Sequence, residues 1–169
     1  MKKKVFRFLI IALACSLYAV PGSAQQKNQA SITLEGLDGT KLTFTLEQLR
    51  QMPQESVTLA NPSANSKEPY EGVLLRDLLE KVNATFGKKL HAEDLRDYVE
   101  VAGRDGYRVV FALAELDPSL QDNKVLVAIS NEGKPLDDSL GPIRVIVPQD
   151  KRQARSVRQV TTITLRQAP

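Results

Sequence analysis

Along residues 31–46, SITLEGLDGTKLTFTL, apolar and polar side chains alternate on either side of Asp38 and Gly39. A period of two marks a strand with one buried face, and an Asp-Gly pair favours a tight hairpin turn, so two paired strands are expected. Thr45 followed three residues later by Gln48 has the form of a capping box, which predicts a short helix over Leu46 to Gln51, stopping before Pro53. SVTLA (56–60) reads as a short strand, and NPSANSKEP (61–69) as a loop, from its Asn, Pro and Ser content. From Val73 to Phe86, Leu74, Leu75, Leu78, Leu79, Val82 and Phe86 recur at spacings of three and four, the stripe of an amphipathic helix.

YVEVAGRDGYRVVFAL (98–113) then reads as two strands about an Arg-Asp-Gly turn, and LAELD (113–117) as a turn of helix ended by Pro118. KVLVAIS (124–130) is a near-continuous apolar strand, NEGKP (131–135) turns the chain, and IRVIV (143–147) and VRQVTTITL (157–165) complete the set. About seven strands with two or three helices, in no regular alternation, predict an α+β fold of mixed, mostly antiparallel sheets. A doubly wound nucleotide-binding fold is excluded, since neither the alternation nor a glycine-rich loop between strand and helix is present.

The first 24 residues change the charge picture. Lys2, Lys3 and Lys4, an apolar stretch from Val5 to Val20, Pro21 and a small-residue site ending at Ala24 form a general secretory signal, with cleavage expected between Ala24 and Gln25. The whole chain carries 23 basic and 20 acidic residues; the signal holds four of the bases and no acid, which leaves 19 against 20. The high pI therefore belongs to the signal, and nucleic acid is not an expected partner. Cys15, the only cysteine, lies inside that segment, and Ala12 three residues before it makes a lipoprotein the lesser expectation. Downstream no thiol remains, which excludes disulfides, zinc-thiolate sites, iron-sulfur clusters and a cysteine nucleophile. Residues 25–30 are expected to be a flexible segment, residues 31–169 a single domain, and the processed protein periplasmic or secreted with no stable membrane insertion.

What stays basic is local: Arg144, Lys151, Arg152, Arg155 and Arg158. Arginine's planar fork suits phosphate or carboxylate, and a helical turn would set Arg152, Arg155 and Arg158 on one side. The competing reading is a solvated loop paired with Asp137, Asp138 and Asp150. His91 is the only histidine, so no facial metal triad is possible, and no serine sits in an elbow motif. The acids at 93, 94 and 97 and at 132, 137 and 138 lack the spacing of a calcium loop, so no metal site is expected. Tyr107 could line a pocket, though an aromatic on a hairpin strand is more often core.

Three stretches, YEGVLLRDLLEKV (70–82), VEVAGRDGYRVVFALAELDP (99–118) and VLVAISNEGKPLDDSLGPIRVIVPQDKRQARSVRQVTTITL (125–165), resemble the oxidoreductase molybdopterin-binding domain, the sulfite oxidase-like family. The resemblance covers most of the chain after the signal. It implies a molybdenum held by a pterin dithiolene and one cysteine thiolate, and that ligand would fall near Ala60 or Asn61, where no cysteine stands. An amide oxygen is a poor substitute for a soft thiolate. Cofactor-loaded members are exported folded by a twin-arginine route, whereas MKKKVFRF has no arginine pair. The resemblance further implies that the segment 148–160 holds the phosphate-bearing part of the pterin, which makes Lys151, Arg152, Arg155 and Arg158 candidates for an anion site, with Arg144, Asn61 and Tyr107 beside it.

The expectation is an exported sulfite oxidase-like domain without molybdenum catalysis and without a cofactor, acting as a small-anion-binding or accessory module for a periplasmic protein. The alternatives are a molybdopterin-dependent oxidoreductase with a non-cysteine metal ligand, and an interaction domain working through a sheet edge.

Overall fold

A computed structural model describes residues 30–61 and 66–169. The expected signal (1–24), most of the expected flexible segment (25–30) and residues 62–65 of the NPSANSKEP stretch lie outside these.

The first sheet opens with the predicted hairpin. Strands β1 (Ser31–Glu35) and β2 (Lys41–Thr45) pair antiparallel about a turn in which Gly39 takes a positive φ of 80° and the Asp38 carboxylate accepts from Thr40 N–H. Ile32 and Leu34 point into the core and the intervening Thr33 outward. Helix α1 (Leu46–Gln51) starts from the predicted capping box: Thr45 Oγ1 accepts from Gln48 N–H at 3.2 Å, and Gln48 Oε1 from Thr45 N–H at 2.8 Å.

The chain then leaves for a second sheet through β3 (Glu55–Asn61) and β4 (Ser66–Leu74), and passes into α2 (Leu75–Leu79). It returns to the first sheet as the predicted hairpin of β5 (Asp97–Gly103) and β6 (Arg108–Ala112), whose turn places Gly106 at φ 84°. It crosses again for β7 (Leu126–Asn131), β8 (Lys134–Pro135) and β9 (Arg144–Ile146), and ends in β10 (Val160–Gln167). The first sheet has the order β2-β1-β10-β5-β6, with β1 and β10 parallel and the other neighbours antiparallel. In the second, β7 pairs with β4, β8 and β9, and β3 lies at the edge beside β4. The fold is α+β with mostly antiparallel pairing, as expected from the sequence.

Two expectations need correcting. The helix predicted over 73–86 is shorter, because Val73 and Leu74 complete β4 opposite Val127 and Leu126 of β7. After α2 and a 3₁₀ turn at Glu80–Val82 it ends at Asn83, in the left-handed region at φ 67°. The apolar stripe was genuine, since Leu75, Leu78 and Leu79 are fully buried, but hydrogen bonding in the sheet outweighs helical period at its start. Residues 66–69, predicted as loop, belong to β4 and pair with β3 from Thr58↔Pro69 to Asn61↔Ser66; main-chain pairing asks little of the side chains at a sheet edge.

The main core lies between the first sheet, α2 and one face of the second sheet, and takes in Phe111, Leu113, Val127, Val145 and Ile163. A smaller cluster of Val57, Leu59, Tyr70, Leu74, Leu126, Ala128, Leu136 and Ile146 covers the other face. Burial on both faces is why KVLVAIS shows no alternation. Among the described residues no helix is long and apolar enough to cross a membrane.

Gly72 lies where β4 shifts register against β7, and a Cβ there would come within 2.1 Å of the Val127 carbonyl oxygen. Gly72→Ala is therefore expected to lower stability by about 1–3 kcal/mol, measured as a lower urea midpoint with an unchanged slope. Asp117 is fully buried and accepts from Gly87 N–H, Ser119 N–H and Ser119 Oγ–H. Burial pushes its carboxyl up, but the bonds from Ser119 and Gly87 and the Arg76 charge together hold it below the ordinary value of 3.8. A depressed folded value stabilises at pH above that ordinary value, and the contribution is lost as pH falls through the lower one. Asp117→Asn is expected to be less stable than wild type at pH 7, the gap closing as denaturation midpoints are followed below about pH 4.

Candidate functional site

The basic segment is the passage from the second sheet to the first. β9 belongs to one sheet and β10 to the other, and the chain between them folds back along itself: Val145 N–H donates to Val157 O at 2.8 Å, Val160 N–H to Ile143 O at 3.0 Å and Gln159 N–H to Leu140 O at 3.0 Å. Ser156 Oγ accepts from Val147 N–H at 3.2 Å. Ile143, Val145, Val147, Val157 and Val160 bury their side chains in the main core, which pins both limbs of the passage.

Strand alternation decides where Arg144 goes. With Val145 in the main core, Arg144 and Ile146 face the smaller cluster, and Arg144 is 97 % buried, its relative exposure being 3 %. Its Nη1 donates to the Tyr70 hydroxyl at 3.0 Å, which donates in turn to Glu68 Oε2 at 3.0 Å, and its Nη2 donates to Gln153 Oε1 at 2.9 Å. The guanidinium carbon lies 5.5 Å from the centre of the Tyr70 ring, within cation-π range. Nε is buried with no hydrogen-bond partner among the described residues. Burial holds the Arg144 pKa below its ordinary value, against the pull of Tyr70 and Glu68, and Arg158 lowers it further. Burial likewise pushes the Tyr70 hydroxyl up.

Arg155 has the opposite surroundings. Its Nε and Nη2 bond the two carboxylate oxygens of Asp150 at 2.9 and 2.8 Å, and Nη1 reaches both oxygens of Glu115 at 3.0 and 3.1 Å. The guanidinium also lies 4.8 Å from the centre of the Phe111 ring. Hydrogen bonds to Asp150 and Glu115 and the charges of both acids outweigh burial and push its pKa further up. Arg155 thus joins the turn after Pro148 to the 3₁₀ turn Leu113–Leu116.

The spacing of Arg152, Arg155 and Arg158 does not bring the three together. Only Gln153–Arg155 forms a helical turn, so Arg155 turns inward while Lys151, Arg152 and Arg158 stay exposed. The charge of Arg158 reaches both Asp137 and Arg144. The predicted pairing with acids holds for Arg155 and Asp150, and Glu115, forty residues upstream, is a partner no sequence spacing pointed to. Tyr107 is not core: it is 49 % exposed, its hydroxyl donates to Ala154 O at 2.8 Å, and with Gln153, Ser156 and Arg158 it lines a shallow depression. Asn61 ends β3 opposite Ser66, and the neighbouring Ala60 carbonyl accepts from Gln153 Nε2 at 3.3 Å. Gln153 therefore bridges β3 and Arg144, a role without any signal in the sequence, as is that of Tyr70.

The donors at this site do not fit a thiolate-ligated metal. Ala60 and Asn61 stand where that ligand is expected, and the chain's one cysteine is Cys15. No group of three or more His, Cys, Asp or Glu side chains among the described residues could hold a metal ion. Arg155, within the segment expected to hold a pterin phosphate, already carries two carboxylates.

The family model described as oxidoreductase molybdopterin binding domain matches residues 18–169. Among solved structures, the sulfane dehydrogenase SoxCD from Paracoccus pantotrophus superposes with a TM-score of 0.61 at 19% sequence identity, over 80% of this chain and 37% of that one. The chain thus spans little more than a third of that protein, and at this identity the likeness is one of fold. No curated protein matches the sequence.

The two kinds of arginine make opposite predictions for the ligand-free protein. Arg155→Ala leaves Asp150 and Glu115 without their shared cation and is expected to cost about 1–3 kcal/mol, short of a fully buried pair because a third of the side chain is exposed. Arg152→Ala is expected to change stability by less than about 0.5 kcal/mol. Thermal unfolding of the two variants beside wild type checks both.

Proposed function

Because the chain belongs to the oxidoreductase molybdopterin-binding domain family, we propose that it is an exported domain of that fold that works without molybdenum redox chemistry, as a small-anion-binding or accessory module. The observation that carries this reading is the absence of any thiol at the end of β3, where Ala60 and Asn61 take the place of the expected ligand. Molybdenum in this family draws on a soft thiolate, and the carbonyl and amide oxygens available there are hard donors.

The groups that remain are suited to binding rather than to electron transfer. Lys151, Arg152 and Arg158 are exposed along the passage between the sheets, and Arg144 at its start is buried. Exposed cations carried on one short segment attract small anions and act mainly on the rate and orientation of encounter. Export by the general secretory route, with Gln25 as the first residue of the processed chain, places such a module in the periplasm or outside the cell, where a protein partner would meet it.

Metal and pterin content of protein purified from the exported fraction of a molybdate-supplied cell tests the reading, with sequencing of the processed N-terminus alongside. Folded protein beginning at Gln25, with neither molybdenum nor pterin in stoichiometric amount, is the expected result. Stoichiometric molybdenum would overturn it in favour of an oxidoreductase with a non-cysteine ligand near Asn61.

A further inference from the structure

The first sheet ends in β2 on one side and in β6 on the other. An edge strand shows a row of unpaired N–H and C=O groups, and bulges, prolines, charges or brevity keep such rows from joining other chains. The open side of β2 is polar, with Lys41 and Thr43, and the Thr45 N–H there is taken by Gln48. In the second sheet β3 gives the Ala60 carbonyl to Gln153, and β8 is two residues long. β6 is guarded only by the charge of Arg108. Its register against β5 runs without a bulge from Tyr98↔Ala112 to Ala102↔Arg108, and RVVFA contains no proline. Val110, 54 % exposed, is the one exposed large apolar side chain among the described residues that a strand carries.

Alternation fixes what this edge offers. Gly103 N–H donates to Tyr107 O at 2.9 Å, so the bonded pairs of the ladder are Gly103 with Tyr107, Val101 with Val109 and Val99 with Phe111. Arg108 and Val110 therefore turn their N–H and C=O groups away from β5, and none of these groups has a partner among the described residues. The Ala112 N–H faces the same way and is taken by Glu115 Oε1 at 2.9 Å. Two donors and two acceptors on alternate residues remain, a set that matches its own copy turned through half a circle.

We propose that this edge takes a second copy of the chain, β6 pairing antiparallel with β6 about a two-fold axis at Val109. Arg108 of each copy would exchange both main-chain bonds with Val110 of the other, which fills every free group of the edge and asks nothing of Ala112. A two-fold contact closes on itself, so assembly stops at a dimer. On the outer face, the stem of each Arg108 would cover Val110 of the other copy. Its guanidinium would point toward the other copy's Glu100, about 10 Å away between Cα atoms, a gap two long side chains span. Glu100 already holds Arg108 of its own chain at 2.7 Å and Arg166 at 3.6 Å, so acid and base would alternate across the joint. After the expected signal the chain carries 19 bases and 20 acids, and so little net charge opposes the approach. The proposal does not depend on the anion-binding reading, since Arg108, Val110 and Glu100 lie on the face of the first sheet turned away from the main core.

Sedimentation velocity of the processed protein, from micromolar to near-millimolar concentration, tests the pairing. The mean sedimentation coefficient of wild type is expected to climb with concentration toward that of a dimer, late in the range because a short strand pair is a small interface. Val110→Pro removes an N–H that the ladder with β5 does not use, and Val110→Lys sets a charge against Arg108 of the other copy. Both are expected to lose the concentration dependence, and Val110→Lys to melt with wild type in dilute solution. Val109→Cys reads the register. The two Val109 positions would face each other as a non-bonded pair with Cα atoms about 4.5 Å apart, within disulfide reach. Diamide, taking two hydrogens from the two thiols, is then expected to link Val109→Cys chains in pairs and to leave Thr43→Cys, on β2, unlinked. A wild type that stays monomeric at every concentration would overturn the proposal and leave the edge to a strand of another protein or to water. A dimer that persists in both Val110 variants, or that links through Thr43→Cys and not through Val109→Cys, would overturn it in favour of another surface.

Discussion

The main-chain bonds between residues 140–145 and residues 157–160 tie the two sheets to each other, and the placement of the basic side chains between them follows. Val145 with Val157 and Ile143 with Val160 join a strand end of the second sheet to the approach of β10, which then runs between β1 and β5 in the middle of the first. Buried valines and an isoleucine pin both limbs to the main core. Side chains there are directed inward or outward by backbone geometry before their own chemistry has any say.

That constraint explains how two arginines in one segment come to differ so much. Arg144 lies in register with Ala128 of β7, on the face of the second sheet covered by Tyr70, Leu74 and Ile146, so it is taken out of water by its strand position. A dry guanidinium with neutral direct partners is held up by a hydroxyl, an amide and the face of an aromatic ring, each weaker than a carboxylate. Arg155 sits after the turn, half-buried over Phe111, where acids from two separate turns converge on it. One cation thus holds two carboxylates directly, and the other meets a carboxylate only through the Tyr70 hydroxyl.

Much of the local structure was legible along the chain because its causes are local. The Thr45–Gln48 capping box, the Asp38-Gly39 turn and the Arg-Asp-Gly turn at 104–106 each bring their own hydrogen bonds within a few residues, and each formed as expected. The helix over 73–86 and the loop over 61–69 were misread for one shared reason: β4 is extended by pairing with β3 and β7, partners that neighbouring residues do not announce. The missing thiol at Ala60 and Asn61 was equally plain, being a matter of composition and of resemblance to a family.

The sequence by itself determined the α+β class, the family, and the soft ligand the chain lacks, since periodicity, capping and donor type are properties of residues close together or of single side chains. Only the tertiary structure decided which basic residues are paired, which are buried and which stay in water. Spacing treats Arg152, Arg155 and Arg158 as alike and gives Arg144 no partner at all. Glu115, Gln153 and Tyr70 reach these arginines across the crossing of two sheets, and the burial that makes a charge strong or costly exists only once those sheets have met.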